Sequence, residues 1–253
     1  CEFFQAEYDL SGAFGSAVQT SGRCGMEAGG TRKGLSIMEK NMEAVRELMA
    51  AAKHLDEKGI LNAIEGNVSL KRDGLIYVTP SGKNKAFLTE DMIAVVDEDG
   101  NQLAGSCKPT SELKLHLHVY KTRKDVGGVV HAHPTCLAAH AICGLPVRTK
   151  AYAELMTVYG SFEVAPYGRP GTDDIWKGSG PLLQKSDVIL LENHGALAVG
   201  PSVLQAMNHM EAAEAIARVV TTAKLIGREK ELPEEECRAL LSMQEKNQKE
   251  SIS

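Results

Sequence analysis

The central run of this sequence is Val126-Gly127-Gly128-Val129-Val130-His131-Ala132-His133. A valine-rich run that starts with glycine is typical of a buried β-strand. Side chains of a strand alternate between its two faces, so His131 and His133 are predicted to point to the same side. Two imidazoles on one face at a strand end can bind a divalent metal if a third ligand comes from elsewhere.

A candidate third ligand lies in Asn193-His194-Gly195, which follows a second apolar run, Val188-Ile189-Leu190-Leu191. Three histidines that leave one coordination position open are typical of a catalytic zinc site, whereas structural zinc sites are closed by four protein ligands. We therefore predict a metal site formed by His131, His133 and His194. A lone histidine is usually packed or solvated, and we assign no metal to His54, His140 or His209.

The composition is that of an ordinary globular protein with a full core. Of the 253 residues, 43% are hydrophobic and 24% are charged, and the net charge is −5. The length favours one main domain. The sequence has no basic run that would indicate binding to nucleic acid or a membrane surface. It also has no apolar stretch near the ~20 residues of a membrane-spanning helix.

Six cysteines are scattered along the chain, and none forms a C-x-x-C pair. This scatter argues against a cysteine-rich zinc module and is typical of reduced thiols in a cytoplasmic protein. Cys107 and Cys136 are candidate nucleophiles, but inert burial is the simpler interpretation of each.

Residues 1–36 differ from the rest of the sequence. They are rich in Gly, Ser and Ala, show no sustained periodicity, and lack the features of a signal peptide. We interpret them as a disordered leader or a non-native extension, with Met38 as the natural start, and we place the domain at residues 37–253.

Periodicity from Met38 to Lys58 predicts a helix, and Gly59 ends it. Two short hairpins are predicted next. They pair Asn67–Lys71 with Leu75–Thr79, and Ile93–Asp97 with Gln102–Ala104.

In the second half, helices are predicted from a Thr110 or Ser111 cap to Lys121 and from about Pro134. The pattern also predicts a strand over Val158–Ala165, followed by a loop. Further elements are predicted as a strand over Asp187–Glu192, a strand over Ala196–Val199, and helices over Ser202–Ile226 and Pro233–Lys246. The irregular alternation with several hairpins favours a three-layer α/β/α or a mixed α+β domain.

Three small polar segments lie beside the predicted strands: Gly66–Ser69, Thr79–Lys83 and Lys108–Glu112. Together their backbone amides and hydroxyls could surround a phosphate. Taken alone, the third segment is better explained by plain helix capping by Thr110 and Ser111, and the other two segments shift the interpretation toward a phosphate site. None is a G-x-x-x-x-G-K-[ST] loop, so a nucleoside triphosphate is not indicated.

Five motifs occur here in the order typical of the class II aldolase/adducin family, and the chain most resembles its L-fuculose-phosphate aldolases. The resemblance covers roughly Met38 to Ile226. The motifs are Gly66-Asn67-Val68-Ser69, Thr79-Pro80-Ser81-Gly82, Lys108-Pro109-Thr110-Ser111-Glu112, His131-Ala132-His133-Pro134 and Asn193-His194-Gly195.

The resemblance implies a three-layer α/β/α domain with a mixed, largely antiparallel sheet, assembled as a homotetramer with one Zn²⁺ per subunit. It implies that the three histidines are the metal ligands and that Glu112 is the catalytic acid/base. The residues implied for the phosphate site are Asn67, Ser81, Gly82, Thr110 and Ser111.

The implied function is cleavage of a ketose 1-phosphate, similar to L-fuculose 1-phosphate, into dihydroxyacetone phosphate and a small aldehyde through a metal-stabilised enediolate. Epimerases, methylthioribulose-phosphate dehydratases and oxo-tetronate-phosphate decarboxylases of the same fold remain alternatives, although the epimerases carry Asp in place of Glu112. A non-enzymatic adducin-like module is a further alternative, and it predicts lost metal ligands.

The sequence departs from the fuculose-phosphate enzymes in its tyrosines. Those enzymes use tyrosines as proton donors, one of them close to the C-terminus, whereas no tyrosine follows Tyr167 here. Tyr152 lies near the expected place of the other, and a packed aromatic role explains it equally well. This difference leaves the substrate open.

Overall fold

An eight-stranded sheet organises the compact unit Glu39–Ser253 in the computed structural model, which describes residues 31–252, with side chains over 42–246 apart from Glu245. The strand order is β4-β3-β2-β1-β5-β8-β7-β6. Only β6 and β7 pair in parallel, so the sheet is mixed and largely antiparallel, as predicted. The strands are β1 Asn67–Arg72, β2 Leu75–Val78, β3 Ala94–Val96, β4 Gln102–Ala104, β5 Gly128–Ala132, β6 Val164–Ala165, β7 Val188–Leu191 and β8 Gly195–Gly200.

Seven α-helices are described, together with two 3-10 turns at Lys85–Phe87 and Glu90–Met92. The helices are α1 Thr31–Glu57, α2 Leu113–Thr122, α3 Thr135–Ile142, α4 Ala153–Val158, α5 Asp174–Leu183, α6 Val203–Ile226 and α7 Glu234–Ile252.

The helices cover both faces of the sheet, because each face is apolar. Val130 and Ala198 face one core, which also contains residues of α1, α3 and α6. Val129 and Leu197 face the other, which contains residues of α2 and α5. Successive residues of a strand point to opposite faces, so fully buried strands such as β5 carry continuous apolar runs. This arrangement is the three-layer α/β/α architecture that the resemblance implied.

The predicted strand Val158–Ala165 is wrong. Val158 ends α4, whose buried residues Leu155 and Met156 face a core, and the strand β6 is limited to Val164–Ala165. Gly160 adopts a left-handed conformation, with φ 74°, which breaks an extended run. Phe162 then forms only a single bridge, with Val147.

The predicted cap of α2 is also wrong. Glu112 occupies the N-cap position, and its side chain makes no capping hydrogen bond. Thr110 instead holds the turn before the helix, since its N–H donates to the Thr79 carbonyl and its Oγ1 accepts from the Glu112 N–H. Pairing with the neighbouring turn therefore delays the start of the helix until Leu113.

The structure also differs from the prediction at the ends of two helices and in one additional helix. Helix α1 begins at Thr31 rather than Met38, α7 extends to Ile252, and α5 was not predicted. The leader predicted for residues 1–36 lies, up to residue 30, outside the described residues.

Four cysteines of the described chain are free: Cys107, Cys136, Cys143 and Cys237. Among the described residues, none of the helices combines the length and apolar character that crossing a bilayer requires.

A buried carboxylate connects two elements behind β5. Glu214 of α6 is 4% exposed and accepts hydrogen bonds from the N–H groups of Cys136 and Leu137, at 3.0–3.2 Å. These N–H groups belong to the first turn of α3, which has no side-chain cap of its own. A negative charge is favourable at a helix N-terminus, so Glu214 fixes the start of α3 just after His133.

We expect Glu214→Gln to lower the free energy of unfolding by about 1–3 kcal/mol, because an NH₂ group would face the α3 N–H groups and leave buried donors unpaired. Urea denaturation measures this change. Glu211→Gln on the same helix is the matched control, since its half-exposed pair with Lys58 should contribute about 0–1 kcal/mol. Equal losses in the two variants would contradict the capping role.

Candidate metal centre and adjoining carboxylate

The three predicted metal ligands lie side by side. His131 is in β5, His133 follows that strand, and His194 lies in the turn between β7 and β8. One ligand atom from each of the three lies within 4.8 Å of the others. The closest pair is Nε2 of His131 and Nε2 of His133, at 3.0 Å. Residues far apart in sequence thus present imidazole nitrogens to one small volume.

Tight local geometry places His194. Leu191 and Gly195 are paired across β7 and β8, so only three residues form the turn between them. Asn193 adopts a left-handed conformation with φ 53°, which asparagine tolerates better than most residues. The His194 N–H donates to the Leu191 carbonyl at 3.0 Å, and this bond closes the turn.

Glycine is required at two positions where the backbone approaches the histidines. A Cβ on Gly195 would lie 2.4 Å from Cδ2 of His133 and 2.6 Å from the Ala132 carbonyl oxygen. A Cβ on Gly66 would lie 2.7 Å from the His131 carbonyl oxygen, and Gly66 also has φ 68°. Both glycines therefore allow neighbouring chain segments to pack directly against the end of β5.

Hydrogen bonds orient the imidazoles as metal ligands. Nδ1 of His131 donates to the Ala196 carbonyl at 2.9 Å, which turns Nε2 toward the cluster. Nδ1 of His194 is buried and has no hydrogen-bond partner among the described residues. Three imidazole nitrogens within 4.8 Å of one another are the kind of donor set that a catalytic zinc ion takes, so the residues fit a divalent metal ion.

The electrostatic surroundings favour neutral imidazoles, the form that binds metal. Burial, with a smaller contribution from the neighbouring His131, lowers the pKa of His194 to about 4. The same two causes lower the pKa of His133. Near neutral pH both rings are therefore neutral and keep a lone pair that can bind a metal ion.

Glu112 lies against this cluster with its two oxygens in different surroundings. Oε2 is 3.1 Å from Nε2 of His131 and accepts a hydrogen bond from Nδ2 of Asn67 at 2.9 Å. Oε1 is 3.4 Å from Nε2 of His194 and, within the described chain, has no hydrogen-bond partner. Burial opposes ionisation of Glu112, but the charge and hydrogen bond of His131 outweigh it and hold the pKa of Glu112 well below its usual range.

The segments predicted to bind phosphate are brought together by main-chain pairing. Pro80 and Pro109 form a bridge, and the Ser81 N–H donates to the Lys108 carbonyl at 3.1 Å. Ser81, Gly82 and Ser111 are exposed at this junction, and Thr110 is buried. The exposed hydroxyls and the backbone of this junction lie next to the N-cap residue Glu112.

Asn67 lies deeper than the other predicted phosphate residues. Its Nδ2 donates to Glu112, and its Oδ1 accepts from Nε2 of His116 at 2.5 Å. One N–H of the carboxamide remains for an anion. The side chain therefore connects Glu112 to residues below it, whatever it contributes to a phosphate site.

Two buried residues in contact with this site, His116 and Tyr120, were not predicted from the sequence, and Ser69 was predicted only as part of the segment Gly66–Ser69. A signal was present, because Glu112, His116 and Tyr120 are spaced by four, which places them on one face of α2. Asn67 and Ser69 are spaced by two, which places them on one face of β1. Tyr152 packs against the first core and makes no hydrogen bond to the predicted ligands.

Comparison with protein-family models matches residues 46–221 to the class II aldolase and adducin N-terminal domain. The L-fuculose phosphate aldolase of Methanococcus vannielii is 33% identical over 61% of this chain and 82% of its own length. The 5-deoxy-D-ribulose 1-phosphate aldolase of Bacillus thuringiensis is 29% identical over 79% and 93%. The 3-oxo-tetronate 4-phosphate decarboxylase of Haemophilus influenzae is 30% identical over 71% and 88%.

A solved structure of an L-fuculose 1-phosphate aldolase superimposes with a TM-score of 0.73 and 30% identity, covering 79% of this chain and 95% of that one. The names of the sequence relatives differ in the sugar phosphate and, for the decarboxylase, in the reaction. Because the family match covers more than half of the chain and includes every predicted site residue, the chain belongs to the class II aldolase and adducin family.

Proposed function

We propose that this protein is a zinc-dependent aldolase that cleaves a ketose 1-phosphate, similar to L-fuculose 1-phosphate, into dihydroxyacetone phosphate and a small aldehyde. The observation that carries the proposal is the position of Glu112. Its carboxylate has one oxygen that finds no hydrogen-bond partner among the described residues, and it lies within 3.4 Å of two of the three clustered histidines.

The residues proposed to hold one Zn²⁺ per subunit are His131, His133 and His194. Three histidine ligands are typical of a catalytic zinc site, whereas a structural site would need a fourth protein ligand. A divalent cation bound there supplies Lewis-acid chemistry, stabilising negative charge that develops on the substrate carbonyl.

Glu112 is proposed as the acid/base. In the synthetic direction it removes the proton from the carbon next to the substrate carbonyl, and in cleavage it returns that proton. The lowered pKa of the carboxyl keeps Glu112 ionised near neutral pH, which is the form that a base requires. General base catalysis of this kind typically contributes about 10²–10⁴-fold to the rate.

The proposed phosphate site combines the junction at which Pro80 and Pro109 form a bridge with the buried carboxamide of Asn67. Its exposed members are Ser81, Gly82 and Ser111, beside the buried Thr110. Backbone N–H groups and hydroxyls can bind a phosphate through hydrogen bonds, even where no positively charged side chain contacts it. Binding energy from this remote group positions the reacting carbons.

Two alternative functions remain from the family resemblance: a related enzyme activity and a non-enzymatic module. The family's dehydratases and decarboxylases use similar motifs, and the similarity to a decarboxylase keeps a 3-oxo-tetronate phosphate in the set of substrates to be tested. A non-enzymatic adducin-like module is disfavoured, because it has no need for three clustered histidines beside a buried carboxylate.

Dihydroxyacetone phosphate is expected from the zinc-loaded protein when it is incubated with ketose 1-phosphates, and a coupled glycerol-phosphate dehydrogenase assay measures its release. The panel contains L-fuculose 1-phosphate, 5-deoxyribulose 1-phosphate, methylthioribulose 1-phosphate and a 3-oxo-tetronate 4-phosphate. Release of carbon dioxide from the last substrate alone would replace the aldolase proposal with a decarboxylase.

Glu112→Gln is the matched control in that screen. It removes the base but keeps the shape of the side chain, so kcat should fall by about 10²–10⁴-fold. Zinc content, measured by atomic emission, should stay close to that of the parent protein. Near-normal turnover of the variant would remove Glu112 from the mechanism.

Gly195→Ala should weaken zinc binding by about 10- to 100-fold, because the added methyl group must displace the His133 ring or the Ala132 carbonyl. Competition with a chromophoric chelator measures the affinity. Gly227→Ala is the control, since a Cβ there meets nothing within 4 Å, and His194→Ala is the reference for loss of a ligand. Wild-type affinity in Gly195→Ala would contradict the tight packing.

We also propose that the protein is a cytoplasmic homotetramer, as the family resemblance implies. An apolar surface at the end of α6 supports an interface, since Leu225 and Ile226 are 82% and 83% exposed. Light scattering should give the mass of four chains, and Leu225→Asp should shift the mass toward smaller species. A single-chain mass for the parent protein would contradict this proposal.

A further inference from the structure

A continuous chain of hydrogen bonds extends from Glu112 into the core between α2 and β1. Glu112 is bonded to Asn67 at 2.9 Å, and Asn67 to His116 at 2.5 Å. The chain continues from His116 to Ser69 at 2.6 Å and from Ser69 to Tyr120 at 2.7 Å. All five residues are at most 8% exposed. The chain thus alternates between the helix and the strand.

The two periodicities explain the alternation. Four residues of a helix rise about 6 Å. Two residues of a strand rise about 6.6 Å. The side chains of Glu112, His116 and Tyr120 can therefore interleave with those of Asn67 and Ser69 over the whole contact.

The direction of every hydrogen bond in this chain follows from the bond at its Glu112 end. Oε2 of Glu112 accepts from Nδ2 of Asn67, so the Asn67 carboxamide presents Oδ1 to His116. His116 must then donate through Nε2, and as a neutral ring it accepts at Nδ1 from the Ser69 hydroxyl. Ser69 in turn accepts from Tyr120. Burial lowers the pKa of His116 to about 3, which keeps the ring neutral.

We propose that His116, Ser69 and Tyr120 are positioning residues that act through Asn67, anchor Oε2 of Glu112 and leave Oε1 as the oxygen that carries the proton. The inference rests on the proposed function for its kinetic consequence. In the synthetic direction the substrate C–H bond breaks, its electron pair stays on the substrate, and the proton goes to Oε1. In cleavage the same oxygen returns the proton to carbon.

The main test compares two variants of His116 in crystal structures of the protein without substrate. His116→Leu keeps much of the volume but removes the donor to Asn67, so the carboxamide and the Glu112 carboxylate should turn or adopt several conformations. His116→Gln restores an N–H donor, so Glu112 should stay as in the parent protein. An unmoved, singly ordered Glu112 in His116→Leu would overturn the proposal, whether or not the protein proves to be an aldolase.

Kinetics provide the second measurement. His116→Leu should lower kcat by about 10- to 100-fold with KM and zinc content nearly unchanged, since outer residues that orient a catalytic site have effects of this size. His116→Gln should recover most of the loss. Tyr120→Phe, which removes only the last donor of the chain, should have a smaller effect on kcat.

Val119→Ala separates positioning from packing. Val119 is fully buried on the same helix, so this variant loses stability without touching the hydrogen-bond chain. Its kcat should match that of the parent, and a loss equal to that of His116→Leu would show that only packing matters. If His116→Leu does not fold, Ser69→Ala replaces it, with the same expected turn of Glu112 and the same overturning result.

Discussion

The buried carboxylate of Glu112 is the constraint around which the site is built. Removing an ionised carboxylate from water costs several kcal/mol unless charges and hydrogen bonds compensate for it. Here His131 and Asn67 supply that compensation at one oxygen, while the other oxygen lies beside His194 and has no hydrogen-bond partner in the described part of the chain. The same interactions that make burial tolerable therefore also give the two oxygens different roles.

Sheet pairing brings these groups to one place. The antiparallel register of β1 and β5 sets Asn67 opposite His131, and β8 on the other side of β5 carries the turn that contains His194. Helix α2 packs over the same face and supplies Glu112 from its N-cap position. Close backbone packing at Gly66 and Gly195 allows the segments to approach without side chains between them. The site is consequently closely packed where the ligands lie.

Much of the fold could be predicted from local patterns. The hairpin of β1 and β2, strands β5, β7 and β8, and the long helix α6 all have strong periodicity or clear turn residues. The errors fall where elements are short. The six-residue helix α4 was not predicted, and its last residue, Val158, was placed in a strand, because one and a half turns give too few repeats to separate a period of 3.6 from a period of two. Pairing of Thr110 with Thr79 displaced the start of α2, and such a contact is invisible to a local pattern.

The sequence by itself determined which residue types the site contains and that His131 and His133 share a face, because the two-residue repeat of a strand is a local property. Its ordered motifs also determined the family. Only the tertiary structure decided that His194 and Glu112 join this pair and that His116 lies behind Asn67. These relations depend on strand register and on the packing of α2 against the sheet, which arise from contacts between residues 45 or more positions apart.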